Sequence, residues 1–317
     1  MAAPTFRRVG VMGAGAVGCF YGAMLARAGH AVMLIGRTEH VQAVRARGLQ
    51  LEMAGARHTV ALAADEDVAA LHGADLVLCC VKSGDTEAVA QQMAPHLAPA
   101  ALVMSLQNGV DNAATLARLL PCRVLPTVVY VAAAMTGPGQ VRHFGRGDLA
   151  IGALPGGTGS SVPEWPTLQA VVAFFASAQV PVRIVPDVSV ELWAKLLVNC
   201  AYNAISALAQ MPYARLAATP DICTLQEEIV QEVIAVAAAS GVTLSLKSSL
   251  DAVSRIAASM PQQLSSTAQD MARRKPSEID HLNGFVARRG AELGVPAPVN
   301  RTLHALVKLV ESGYDAP

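Results

Sequence analysis

Val9-Gly10-Val11-Met12-Gly13-Ala14-Gly15-Ala16-Val17-Gly18 decides how the rest of the chain is read. A short apolar run ends in G-x-G-x-x-G, and a helical pattern over residues 19–28 follows directly. Each glycine then has its own reason: Gly13 permits a tight turn, Gly15 lets backbone approach a pyrophosphate, and Gly18 lets helix pack close on strand. Amides at the start of the helix bind the anion, so Gly13, Ala14, Gly15, Ala16, Val17 and Gly18 form the candidate cradle for a dinucleotide. Gly29 ends the helix and a second apolar run follows His30, a context that a merely structural glycine turn does not require.

Working outward, short apolar runs at 8–12, 31–35, 76–81, 101–106 and 124–130 alternate with helical patterns. That alternation predicts a mostly parallel sheet wrapped by helices. Residues 141–152 have the glycine spacing of a strand or hairpin, 165–178 read as a helix and 182–185 as one more strand. Residues 155–163, rich in Gly, Thr and Ser, read as a surface loop. From Val190 onward only helical periodicity remains, broken near Met211-Pro212, Ser240-Gly241, Met260-Pro261, Lys275-Pro276 and 294–298. The expectation is a doubly wound, Rossmann-type α/β domain over 1–187 and an all-α domain over 188–317.

Hydrophobic residues make up 53% of the 317 and charged ones 15%, which suits a compact protein and not a disordered one. Lys plus Arg and Asp plus Glu both total 24, so no global field draws nucleic acid or an anionic membrane, and a small-molecule ligand is expected. The six cysteines lie in apolar runs with no C-x-x-C pair, which reads as reduced thiols in a cytoplasmic protein. Arg7-Arg8 followed by the uncharged stretch 9–26 superficially resembles a secretion signal, but five glycines interrupt it in the spacing explained above. No other stretch reaches the roughly 18 apolar residues that span a bilayer.

At the end of the second strand, where an acidic residue would accept from a ribose 2′-hydroxyl, the chain reads Ile35-Gly36-Arg37. A guanidinium there suits a 2′-phosphate and favours NADP, although Glu39 leaves NAD open and Arg37 also reads as an exposed loop cation. Lys82 follows the run 76–81 at the edge where such sheets bind ligands, and reads equally as a solvated lysine. Asn108-Gly109 follows the run 101–106, either to meet a cofactor or as an ordinary turn pair.

In the second half, Glu191-Leu192-Trp193-Ala194-Lys195-Leu196-Leu197-Val198-Asn199-Cys200-Ala201-Tyr202-Asn203 sets Lys195, Asn199 and Asn203 at i, i+4, i+8 on one face of an otherwise apolar helix. So narrow a polar stripe must face a wet cleft or polar partners, because unpaired buried groups are costly. A lysine whose stem packs while its ammonium reaches solvent is the plainer alternative. Further on come Ser265-Ser266-Thr267-Ala268-Gln269-Asp270 and Pro276-Ser277-Glu278-Ile279-Asp280-His281-Leu282-Asn283-Gly284. Pro276 and Ser277 predict a helix start, where Glu278 would complement the helix dipole.

With these motifs in order, the chain resembles the ketopantoate reductase (2-dehydropantoate 2-reductase) family over nearly its full length: the glycine loop with Ala16-Val17-Gly18-Cys19-Phe20-Tyr21-Gly22, the Glu191 to Asn199 helix, and the Ser265 and Glu278 segments. The resemblance implies Lys195 as general acid, Asn199 and Asn203 holding substrate, Ser266 binding its carboxylate, and Glu278 beside cofactor and substrate. It implies Asn108 and Ala133 at NADP, with Arg37 and Lys82 near the 2′-phosphate. Where some members carry a further substrate-binding Asn, this chain reads Gln210-Met211-Pro212-Tyr213, so the distal end of the substrate would be held differently. The implied reaction is NADPH-dependent reduction of a 2-oxo acid without a metal. Reduction of a different oxo acid or imine, and a non-catalytic NADP(H) sensor, are the alternatives. The apolar helices after residue 190 would either pair two copies in a homodimer or fill the domain's own core.

Overall fold

The computed structural model describes residues 6–153 and 165–314, and the loop expected at 155–163 lies outside the described residues. The chain divides into two compact units, one of 1–107 with 111–188 and one of 108–110 with 189–317.

The first unit opens with β1 (Arg8–Met12), α1 (Ala16–Arg27), β2 (Ala31–Ile35), α2 (Thr38–Arg47), β3 (Leu49–Met53), β4 (Ala56–Val60) and β5 (Ala63–Asp65). It continues through β6 (Leu76–Cys79), α3 (Thr86–Met93), β7 (Leu102–Ser105), α4 (Asn112–Leu119), β8 (Arg123–Gly137), β9 (Gln140–Ile151), α5 (Trp165–Ser177) and β10 (Val182–Ile184). Strands β5-β2-β1-β6-β7-β8 lie side by side and parallel. Numbered among themselves they run 3-2-1-4-5-6, the doubly wound order that brings the carboxyl ends of β1 and β6 together at the switch point. Alternate side chains sort to two cores, with Val9, Val11, Leu76, Leu78, Leu102 and Met104 on one face and Met12, Val77, Cys79 and Val103 on the other. That period of two with both faces buried is why these strands read as continuous apolar runs.

Three departures from the sequence expectations concern the sheet. The β3–β4 hairpin is absent from the expected strands: β4 lacks a clean apolar alternation, and the turn is Ala54-Gly55, both at positive φ, where Ala-Gly lacks the turn signature of Asn-Gly. The strand expected at 124–130 runs on to Gly137 through a small-residue stretch with register irregularities, and its far half pairs antiparallel with β9. β9 also pairs with β3 and β10, so the sheet is mixed beyond β8.

The second unit is helical: α6 (Val188–Ala209), α7 (Tyr213–Ala217), α8 (Pro220–Ala239), α9 (Leu246–Ser259), α10 (Ser266–Ala272), α11 (Asn283–Leu293) and α12 (Pro298–Ser312). Ser245 and Ser265 cap α9 and α10, and proline opens α8 and α12 where its missing N–H costs nothing. The middle of α6 is buried nearly all round, in one core with Ile229, Val233 and Val236 of α8, Val286 of α11 and Leu303 and Val307 of α12. The helix expected to open at Pro276 does not form. Glu278 instead precedes a three-residue 3₁₀ turn, Ile279–His281, and Leu282 breaks helical geometry before α11 starts. Among the described residues no helix is long and apolar enough to cross a membrane. All six cysteines are free thiols, and burial pushes Cys19 and Cys79 up to about 12.

Candidate active site

The glycine loop connects β1 to α1, and its three glycines differ in what surrounds them. Gly13 sits at φ +108°, and a Cβ there would stand 2.9 Å from the Cys80 carbonyl carbon. A Cβ on Gly18 would stand 2.1 Å from the Gly13 oxygen, so that glycine permits the helix to approach the strand. Gly15 is the opposite case: a Cβ there would meet nothing within 4 Å, leaving open space over the backbone. Gly15 is the N-cap of α1, with no side-chain cap and no acidic residue in the first turn. The first-turn amides have no acceptor within a helix, and their end of the dipole is positive. The loop therefore fits a pyrophosphate, with Ala14, Ala16 and Val17 completing it.

Gly36, singled out by no sequence argument, is part of the same arrangement. A Cβ there would stand 2.4 Å from Ala14 Cβ, so its lack of a side chain lets the end of β2 lie against the loop. Arg37 follows as the N-cap of α2 and is exposed. Lys82 is exposed beyond β6. The loop carrying it is braced by a buried polar network that the sequence did not reveal. Gln107 donates to the Val81 carbonyl at 3.2 Å and to Thr86 at 2.7 Å, Thr86 donates to Asn112 at 2.8 Å, and Asn112 donates to Ser83 at 3.1 Å. Ala133 is half-buried in β8, opposite His143 of β9.

In the second unit the polar stripe of α6 meets partners. Lys195 Nζ donates to Asn108 Oδ1 at 2.9 Å, and Asn108 Nδ2 donates to Glu278 Oε2 at 2.9 Å. One carboxamide thus joins an ammonium to a carboxylate, its oxygen turned to the cation and its nitrogen to the anion. Two turns along α6, Asn203 is 2% exposed and donates to Ser266 Oγ at 3.5 Å. Ser266 is placed by its neighbour: Ser265 caps α10 through the Ala268 amide at 3.0 Å and donates to the Asn203 carbonyl at 3.2 Å. Asn199 lies half-buried on the same face, one turn from Lys195 and one from Asn203. Gln210 and Tyr213 are committed elsewhere, while Met211 is exposed. Gln210 donates to the Ala207 carbonyl at 2.7 Å, and Tyr213 packs on Tyr202 with ring centroids 4.7 Å apart, where burial raises its phenol well above the ordinary range.

The model of the family Ketopantoate reductase PanE/ApbA matches residues 9–156, and that of its C-terminal domain matches 187–311. A 2-dehydropantoate 2-reductase of Halobacterium salinarum is 34% identical over 307 residues, covering 96% of this chain and 99% of the relative. One of Archaeoglobus fulgidus is 31% identical over 309 residues, covering 97% and 99%. The crystal structure of a PanE/ApbA family ketopantoate reductase from Ralstonia eutropha JMP134 superposes with a TM-score of 0.89 at 52% identity, covering 97% of this chain and 99% of that one. With both family models matched in order across two units whose fold is that of its solved members, the chain belongs to the ketopantoate reductase family.

Proposed function

We propose that this protein reduces 2-dehydropantoate to pantoate with NADPH, with Lys195 as the general acid. The observation that carries the reading is the Lys195–Asn108–Glu278 chain, two contacts of 2.9 Å that hold an ammonium at a fixed place on an otherwise apolar helix. NADPH, when bound, supplies the hydride that reduces the ketone carbon. Residues 1–187, without the 108–110 segment that belongs to the helical unit, form the domain that binds it: the 13–18 loop takes the pyrophosphate, Arg37 and Lys82 the 2′-phosphate, and Ala133 a further part of the cofactor.

Residues 188–317 hold the substrate. Asn199 and Asn203 orient it, and Ser266 donates its hydroxyl to the substrate carboxylate. As charge develops on the ketone oxygen, the Lys195 ammonium stabilises it and then transfers a proton to it from Nζ. Asn108, accepting from that ammonium and donating to Glu278, fixes the direction in which Nζ points. The reaction belongs to pantothenate and coenzyme A biosynthesis in the cytoplasm. On α12, Leu306, Leu309 and Val310 are exposed, Leu309 by 69%, which supports pairing of two copies through the C-terminal helices. Sedimentation of the purified protein tests that pairing.

The test of function is NADPH oxidation by purified protein with ketopantoate, compared with Lys195→Ala. Tight NADPH binding with no oxidation would favour a sensing role. A second substrate reading draws on Gln210 and Tyr213, whose side chains are occupied by the protein itself. A panel of 2-oxo acids decides it, since a higher kcat/KM for another acid would displace ketopantoate.

A further inference from the structure

The turn that carries Glu278 is gripped by α12. His304, Lys308 and Glu311 are spaced i, i+4, i+7, which aligns them on one face of that helix. Glu311, its side chain 7% exposed, accepts at Oε1 from the Ser277 amide at 2.8 Å and from the Ser277 hydroxyl at 2.5 Å, while its Oε2 lies 3.1 Å from Lys308 Nζ. Lys308 also reaches Asp280 Oδ2 at 2.9 Å, and Asp280 Oδ1 lies 2.7 Å from His304 Nε2. The Asp280 carbonyl accepts from Arg288 at 2.8 Å. Glu278 therefore stands between two anchored residues, Ser277 immediately before it and Asp280 two positions after.

Packing alone does not call for this. The inward face of α12 otherwise presents Asn300, Leu303 and Val307, and next to Val307 an apolar residue at 311 would avoid the desolvation that a buried carboxylate incurs. What the charged clamp does is fix backbone: it takes both the N–H and the hydroxyl of Ser277, and the Ser277 oxygen in turn accepts from the Ile279 amide at 3.3 Å. We propose that Glu311 is a positioning residue, which through Ser277 sets the turn so that Glu278 meets Asn108, and through Asn108 orients the Lys195 ammonium. The inference rests on reading Lys195 and Glu278 as parts of the reductase site.

A double-mutant cycle on the full-length protein tests it, using Glu311→Gln and Glu278→Ala singly and together. Glu311→Gln is expected to lower kcat for ketopantoate reduction about tenfold when Glu278 is present, the scale of one charge-assisted hydrogen bond. In the Glu278→Ala background it should lower kcat less than about twofold, because residues that act through one another are not additive. Ser277→Ala removes the hydroxyl half of that contact and leaves the amide's, so it should show the same dependence on background with a smaller loss, which keeps the test available if Glu311→Gln fails to fold. A second readout needs neither substrate nor cofactor: the titration midpoint of Lys195 by ¹³C NMR should fall on Glu311→Gln only when Glu278 is present. Equal losses in both backgrounds, or no loss in either, overturn the proposal. Full turnover by Glu278→Ala overturns it together with the reading of Glu278, whereas a strong Glu278→Ala defect beside a silent Glu311→Gln removes Glu311 alone.

Discussion

Lys195 Nζ donates to Asn108 Oδ1 at 2.9 Å, joining residues 87 positions apart in the chain. Asn108 with its two successors belongs to the helical unit although its neighbours on both sides belong to the other, and Val110 packs into the helical core. A residue that follows a sheet strand thereby becomes the partner of the α6 lysine.

Replacing Asn108 by Ala removes both contacts at once, leaving Lys195 and Glu278 without the carboxamide between them. The expected loss in kcat is roughly tenfold to a hundredfold, as for a charge-assisted hydrogen bond removed from a partly buried pair. Steady-state kinetics beside a thermal melt check it. A fall in Tm with kcat preserved would make Asn108 structural only.

The glycines of the loop should separate stability from binding. Gly18→Ala drives a methyl against the Gly13 oxygen and should destabilise the protein by roughly 1–3 kcal/mol. Gly15→Ala meets open space, so it should cost no more than about 1 kcal/mol, the scale of an N-cap change. NADPH affinity should nonetheless fall at least about tenfold for Gly15→Ala, because the methyl stands where backbone approaches the pyrophosphate. Chemical denaturation and fluorescence titration measure the two effects independently.

Arg37 is exposed just beyond β2. Arg37→Ala is expected to reduce kcat/KM with NADPH by roughly tenfold or more, from the loss of a guanidinium–phosphate contact, while changing that with NADH by less than about twofold. Equal losses with both cofactors would remove Arg37 from the 2′-phosphate.

The α12 clamp predicts a particular dependence of stability on pH. Burial pushes the Asp280 carboxyl up, but hydrogen bonds from His304 and Lys308 outweigh it and leave it below its ordinary 3.8. Burial likewise pushes the Glu311 carboxyl up, but the contacts from Ser277 and Lys308 outweigh it and leave it below its ordinary 4.5. Carboxyls lowered on folding stabilise above their unfolded values and lose that contribution as pH falls through the folded ones. The hydrogen bond to Asp280 raises Lys308 above its ordinary 10.5, so its contribution holds below that value and disappears at higher pH. Tm should thus fall more steeply below about pH 4 for the wild type than for Glu311→Gln.

The architecture was legible because both of its signals are local. The glycine loop is a fixed spacing after an apolar run, and the continuous apolar strands report a sheet buried on both faces. The polar stripe of α6 was visible for the same reason, since i, i+4, i+8 on an apolar helix can be seen without knowing what it faces. The β3–β4 hairpin was hidden by its Ala54-Gly55 turn, and the length of β8 by alanines that favour strands weakly. The start of α11 was misplaced because Ser277, in sequence a natural helix opener, spends its hydroxyl and amide on Glu311, far along the chain. The pairing of Lys195 with Asn108 and the packing of Gly36 on Ala14 left no local trace.

The most direct test is NADPH consumption by the purified protein with ketopantoate, measured for wild type and Lys195→Ala, with NADPH binding followed separately. The account predicts robust oxidation by the wild type, and for Lys195→Ala a kcat at least about a hundredfold lower with cofactor affinity retained. Near-normal turnover by Lys195→Ala would contradict it.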